Sequence, residues 1–230
     1  MQNNNFIISN VDTDAISFCK QDMSFISKEE RQQLLENLNS IYDAEIKFTD
    51  DGYFPKFIVL KAKNYIMYDG KKIKLKGSAL KSSTLEPKFK ALLKEFIDAI
   101  VFIDDRDELM HKLLNIYEVY VKEIALIKDI TPWAKKMTLS EKTYESEREN
   151  EQKVIRAISG KEFKEGDKVY VFFKENKELC LVQDFTGDYD KDVYYEKLYK
   201  TAKRFETILD VSQFKNYKLK KNKSLLEQLK

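Results

Sequence analysis

The sequence predicts an α+β fold, with antiparallel β-hairpins and a packed helix in the first third and a mainly helical remainder that carries a small β element. Three observations lead there. Short apolar runs broken by Asp12-Thr13-Asp14 and Asp69-Gly70 fill residues 6–75. Apolar residues at helical spacing fill residues 87–127, and β-branched and aromatic runs return at 169–182. With 230 residues, 43% of them hydrophobic, the chain can bury a real core.

The elements follow in order. Phe6 to Val11 reads as a strand, Asp12-Thr13-Asp14 as a turn, and Ile16 to Cys19 as a second strand. Ser27-x-x-Glu30 is a capping box that opens a helix, with Leu34, Leu35, Leu38 and Ile41 as its expected buried stripe. A second β unit runs from about Phe54 to Leu75. Its Asp69-Gly70 reads as a two-residue hairpin loop, which would pair Met67 with Lys72 and Tyr65 with Lys74.

Pro87 suits the first turn of a helix carrying Phe89, Leu92, Leu93, Phe96, Ile97 and Ile100. Asp104-Asp105-Arg106-Asp107 separates it from another with Leu109, Leu113, Ile116, Tyr120, Ile124 and Ile127, and Pro132 ends the pair. Residues 133–150 give no clear pattern. Val154-Ile155, Val169 to Phe173 and Leu179 to Val182 read as strand or mixed segments, and a final helix is expected from about Lys191 to Leu209.

Composition excludes several chemistries. Cys19 and Cys180 are far apart and are expected to be free thiols in a reducing, cytoplasmic compartment. One histidine, His111, and two distant cysteines leave no zinc site of the usual kind and no nucleophile–histidine pair, so His111 is expected to be an ordinary surface or boundary residue. No apolar run is long enough to span a membrane, and Met1 to Asn5 lack an apolar signal core. Trp133 and the wealth of Tyr and Phe are expected in the core.

The net charge of +2 hides an asymmetry. Residues 1–55 hold four basic and ten acidic side chains, whereas residues 56–94 hold eleven lysines against Asp69 and Glu86 alone. This reads either as solvated faces or as a metal site beside a phosphate-binding surface. Asp12 and Asp14 at a hairpin tip are hard oxygen donors for a divalent cation, although a complete two-metal site needs a further carboxylate. Alternation along the second hairpin places Lys63, Tyr65, Met67, Lys72, Lys74 and Lys76 on one face. That face is either solvated edge protection or a platform that neutralises nucleic-acid phosphates.

These residues also reach a known family. Asn10-Val11-Asp12-Thr13-Asp14-Ala15-Ile16 resembles the third palm motif of family B DNA polymerases, whose core is Asp-Thr-Asp in a β-hairpin. Lys63-Asn64-Tyr65 resembles that family's Lys-x-Tyr element. Lys74-Leu75-Lys76-Gly77, with Ser82-Ser83-Thr84 and Pro87, is similar to its palm-to-thumb junction, especially in tailed-phage members. Leu139-Ser140-Glu141-Lys142-x-Tyr144 and Gly166-Asp167-x-Val169-x-Val171 resemble stretches of its thumb. The order and spacing of these motifs cover almost the whole chain.

The resemblance implies a partial palm over residues 1–76 and a thumb over 77–230. It implies that Asp14 binds two Mg²⁺ ions shared with a partner chain, with Asp12 as its less direct companion. Lys63 and Tyr65 would hold the primer end and the minor groove, and Lys76 and Gly77 would form the DNA-binding junction that follows the duplex. The family usually has Tyr where Asn10 stands and Ser where Ala15 stands, and neither position is a metal ligand. The upstream palm motif with its own Asp, the fingers and the exonuclease have no counterpart here.

The chain is therefore expected to be the C-terminal piece of a split, phage-type enzyme, inactive alone and active on primer-template DNA and dNTPs with a larger subunit. An apolar face and open strand edges are expected in residues 1–75, where partner strands belong. Leu225, Leu226 and Leu229 form a C-terminal segment that either frays or docks on a sliding clamp. The alternatives are a non-catalytic DNA-binding accessory protein derived from a polymerase, and a stand-alone metal nuclease using the Asp pair.

Overall fold

In the computed structural model, residues 6–12, 14–42, 47–81 and 83–215 are described. The C-terminal leucines considered for clamp docking lie outside them. The architecture is α+β, with two-stranded and three-stranded antiparallel sheets among helices. The chain divides into two compact units, Met1–Lys81 and Ser82–Lys230.

In the first unit, β1 (Phe6–Asp12) and β2 (Ala15–Lys20) form a hairpin in which Val11 faces Ile16 and Asp12 faces Ala15, with Asp14 at the tip. A bulge between Ile8 and Asn10 resets the alternation. Ile8, Val11, Ile16 and Phe18 therefore share one face, and Asn10, Asp12, Ala15 and Ser17 the other. On the apolar face Ile8 is 47%, Val11 64% and Ile16 43% exposed.

α1 (Lys28–Ile41) starts with the expected capping box: Glu30 N–H donates to Ser27 Oγ at 3.1 Å, and Ser27 N–H to Glu30 Oε2 at 2.8 Å. Lys20 donates to Glu30 at 2.7 Å and Arg31 to Asp50 at 3.0 Å, and Asn39 bonds the backbone of Phe48 in both directions. The expected buried stripe is not found: no residue of α1 is buried, Leu34, Leu35 and Leu38 are half-buried, and Ile41 is exposed. Polar links at its ends and flank hold the helix more than apolar packing does.

β3 (Lys56–Lys61), β4 (Asn64–Tyr68) and β5 (Ile73–Lys76) form the second sheet, with β4 in the centre. The hairpin register differs from expectation by two residues: Tyr68 faces Ile73, Met67 faces Lys74 and Tyr65 faces Lys76. The cause is a four-residue loop. Asp69 Oδ1 accepts from the N–H groups of Lys71 (3.0 Å) and Lys72 (2.9 Å), which closes an Asx turn around Gly70. A shift of two preserves the facing of every side chain. Tyr65 and Met67 are nevertheless buried rather than displayed among lysines: β4 is central, flanked by β3 and β5, and the Phe57 ring of β3 stacks on Tyr65.

The second unit is built on α2 (Pro87–Phe102) and α3 (Arg106–Ala125). Asp105 caps α3, accepting from Asp107 N–H and Glu108 N–H. Trp133 lies at the centre, 3% exposed, edge-on to Phe89, Tyr120 and Tyr194. His111 is exposed, and Cys19 and Cys180 are both free. A satellite core of Leu139, Val154, Ile158, Val169, Val171, Leu179 and Leu181 forms under β6 (Lys135–Thr138), β7 (Lys168–Lys174) and β8 (Glu178–Leu181).

Val154 and Ile155, read as strand-like from sequence, lie in α5 (Glu149–Ile158), which follows the short α4 (Glu141–Glu145). Val154 and Ile158, one helical turn apart, bury together on the sheet. The expected final helix stops early: α6 (Lys191–Ala202) ends in a 3₁₀ turn at Lys203–Phe205, and α7 (Ser212–Lys215) follows. Among the described residues, no helix is long and apolar enough to cross a membrane.

Glu86, at the N-cap of α2, is buried and pairs with Lys197 of α6. The Lys197 ammonium also lies 4.4 Å from the Phe173 ring centroid. Burial pulls Lys197 below its usual value, against the pull of Glu86. Removing the carboxylate would leave this cation largely desolvated. Glu86→Gln should therefore lower stability in urea unfolding by about 3 kcal/mol, the low end for a broken buried pair because part of the lysine stays wet.

Acid should act on the first unit through its carboxylates. Hydrogen bonding from Lys20 and from Ser27 N–H holds Glu30 below its ordinary 4.5. Burial raises Asp50, but Gly52 N–H and Arg31 outweigh it and leave the carboxyl below 3.8. The N–H groups of Lys72 and Lys71 lower Asp69 likewise. Depressed carboxyls contribute stability that is present above their unfolded values and lost as pH falls through the folded ones. The urea midpoint should hold steady from pH 7 down to about pH 5 and fall steeply by roughly pH 3.

Candidate functional site

The β1–β2 tip sets the site. Asp12, on the polar face of the hairpin, accepts a hydrogen bond from the Tyr65 hydroxyl at 3.3 Å, across 53 residues of sequence. The Lys63 ammonium stands 4.0 Å from the other Asp12 oxygen. That lysine is largely exposed, so the pair itself adds little stability and leaves the cation available to an anionic ligand. Asp14 stands exposed at the tip.

Tyr65 is buried on central β4 and stacks on Phe57 at 5.1 Å between centroids. Its phenol is pushed above its usual 10.0 by burial, then by the charge and hydrogen bond of Asp12, with smaller contributions from Asp14 and Asp51. The hydroxyl therefore stays protonated at neutral pH and keeps donating. Lys63 occupies the β3–β4 turn with φ +60, a left-handed conformation that fixes where its side chain departs.

Lys76 stands opposite Tyr65 in the register, exposed on edge strand β5. Lys72 and Lys74 lie toward the other end of the same hairpin. Lys72 is exposed in the Asx loop, and Lys74 is 3.6 Å from Asp69 and 5.1 Å over the Phe54 ring. Gly77 follows β5 with φ +99. The fold thus joins Asp12, Lys63 and Tyr65 in one cluster, with Lys76 beside it and Lys72 and Lys74 along the hairpin.

Among the described residues, no group of three or more His, Cys, Asp or Glu side chains gathers to hold a metal ion. Asp12 and Asp14 are hard oxygen donors suited to Mg²⁺, but too few for a complete site. Sequence reasoning missed Asn64, a buried amide between Lys63 and Tyr65. The available signal was a polar residue on the otherwise apolar face of a strand.

No known protein family matches the sequence, and no curated protein does. Among solved structures, the fold is similar to that of the family B DNA polymerase from the hyperthermophilic archaeon Pyrobaculum calidifontis. The TM-score is 0.67 and the identity 16%, over 90% of this chain and 27% of that one. The chain thus has the fold of part of a family B DNA polymerase and spans about a quarter of that polymerase's length.

Proposed function

We propose that the chain supplies the C-terminal part of the palm (residues 1–76) and the thumb (77–230) of a family B DNA polymerase, and acts on primer-template DNA and dNTPs with a larger chain. That larger chain would carry the exonuclease, the fingers and the remaining palm motif. The observation that carries the reading is the convergence of Asp12, Lys63 and Tyr65. They belong to two separate motifs, and they meet at a hairpin tip in a fold similar to that of a family B polymerase.

Asp14, exposed at the tip, would bind Mg²⁺ together with a carboxylate of the larger chain. Asp12, held by Tyr65 and facing Lys63, supports it from the strand. Bound Mg²⁺ would lower the pKa of the primer 3′-hydroxyl and neutralise charge on the triphosphate. Lys63 can pair with a primer phosphate while its backbone stays fixed by the turn. Tyr65 donates to Asp12 and so holds that carboxylate's orientation, and Lys76, Lys72 and Lys74 extend a cationic edge for successive phosphates. The exposed Ile8, Val11 and Ile16 give the hairpin an apolar face for the partner's palm.

A second reading, a DNA-binding accessory protein without catalysis, draws on the small number of carboxylates at the tip. The two readings separate on one residue. In the two-chain complex, Asp14→Ala should abolish primer extension while leaving assembly intact, and the chain alone should extend nothing. Near-normal extension by the variant complex would favour the accessory reading. Replacing Lys63, Lys72, Lys74 and Lys76 by Gln should reduce the slope of log affinity for duplex DNA against log salt by about 2–4, near 0.9 per lost phosphate contact. An unchanged slope would return the hairpin to a solvated edge.

A further inference from the structure

We infer that Asn64 is a positioning residue for the Asp12–Lys63–Tyr65 cluster and ties that cluster to the segment through which the chain leaves the first unit. The inference deepens the polymerase reading of this site and rests on it for its kinetic consequence. The geometric part stands without that reading.

Asn64 is 6% exposed, and both ends of its amide are engaged. Nδ2 donates to the Ala62 carbonyl at 2.9 Å, and Oδ1 accepts from the Ala79 N–H at 2.9 Å. The first bond holds the peptide that enters Lys63, the residue in the left-handed conformation whose ammonium faces Asp12. The second reaches a tight turn in which the Gly77 carbonyl accepts from Leu80 N–H (3.2 Å) and Lys81 N–H (3.1 Å) and buried Leu80 anchors the loop.

Gly77 seals the arrangement. A Cβ there would lie 2.3 Å from Asn64 Oδ1 and 2.3 Å from the Lys63 carbonyl oxygen, so only a residue without one lets these strands meet. Asn64 also sits between the two residues it serves. Its side chain leaves β4 on the face opposite Tyr65, so fixing it fixes the strand from which the Tyr65 hydroxyl reaches Asp12. A displacement of residues 77–81 would reach Lys63 and Tyr65 through one buried amide.

The test uses the full chain with ring-labelled tyrosine and Tyr65→Phe to assign the signal. Asp12→Ala calibrates the shift of the Tyr65 Cζ resonance at pH 7 when its hydrogen bond is lost. Asn64→Ala should move that resonance in the same direction. Val154→Ala, which removes a buried side chain in the satellite core of the second unit, should leave it in place. If Asn64→Ala does not fold, Asn64→Ser, whose hydroxyl is too short to span Ala62 and Ala79, carries the same expectation.

A Tyr65 resonance unmoved by Asn64 substitution, or moved equally by Val154→Ala, would overturn the inference. In the two-chain complex, Asn64→Ala should lower kcat by about ten- to a hundredfold with KM for dNTP little changed, as a misplaced reacting group does. An inactive wild-type complex would remove the polymerase reading while leaving the resonance result to decide the role of Asn64.

Discussion

Tyr65 can reach Asp12 only because β4 is the central strand of its sheet. An edge strand would have left the ring solvated and free to rotate. Flanked by β3 and β5 and stacked on Phe57, the ring directs its hydroxyl toward the hairpin tip. Burial raises the phenol and the carboxylate raises it further, so the donor keeps its proton across the neutral range. That contact joins the β1–β2 hairpin, which places Asp12 on its polar face and Asp14 at its tip, to the strand that follows Lys63.

The two units are stabilised by different means. The second has an aromatic interior centred on Trp133, together with a buried ion pair between α2 and α6. Tyr189 adds a further link: its hydroxyl donates to the Ile124 carbonyl and accepts from Ile127 N–H, closing the end of α3 from a distant segment. The first unit has less apolar cover, with α1 held by ion pairs and amide bonds and the hairpin carrying exposed aliphatic residues. A fold stabilised in this way depends on polar links in the first unit and on the packing of an aromatic interior in the second.

Local signals were readable where the physics was local. The Ser27–Glu30 capping box, the Pro87 helix start and the acidic break at residues 104–107 all stand as the sequence reads. The facing of Lys74 and Lys76 also survived, although their partners did not, because an error of two residues leaves strand alternation unchanged. The hairpin loop itself was misread: Asp69-Gly70 fits a two-residue turn, but the Asp69 carboxylate captures two later N–H groups and lengthens the loop. Val154-Ile155 was misassigned because two adjacent β-branched residues fit either state until Ile158 joins them at a helical turn. The half-buried α1 was not legible, since an apolar stripe states what a helix can bury and not how much of it is covered. At the site, the motif residues were found from sequence, whereas Asn64 depended on a contact with a segment fifteen residues away.

The close approach at Gly77 also constrains how this sequence can change. Of the two atoms that a side chain at 77 would strike, one belongs to the Asn64 amide and the other is the main-chain oxygen of Lys63. The first obstacle could vanish with a smaller residue at 64, but the second is present whatever residue occupies position 63. No single or paired exchange of side chains therefore opens position 77. Diversification of this junction must proceed by inserting or deleting residues in the loop.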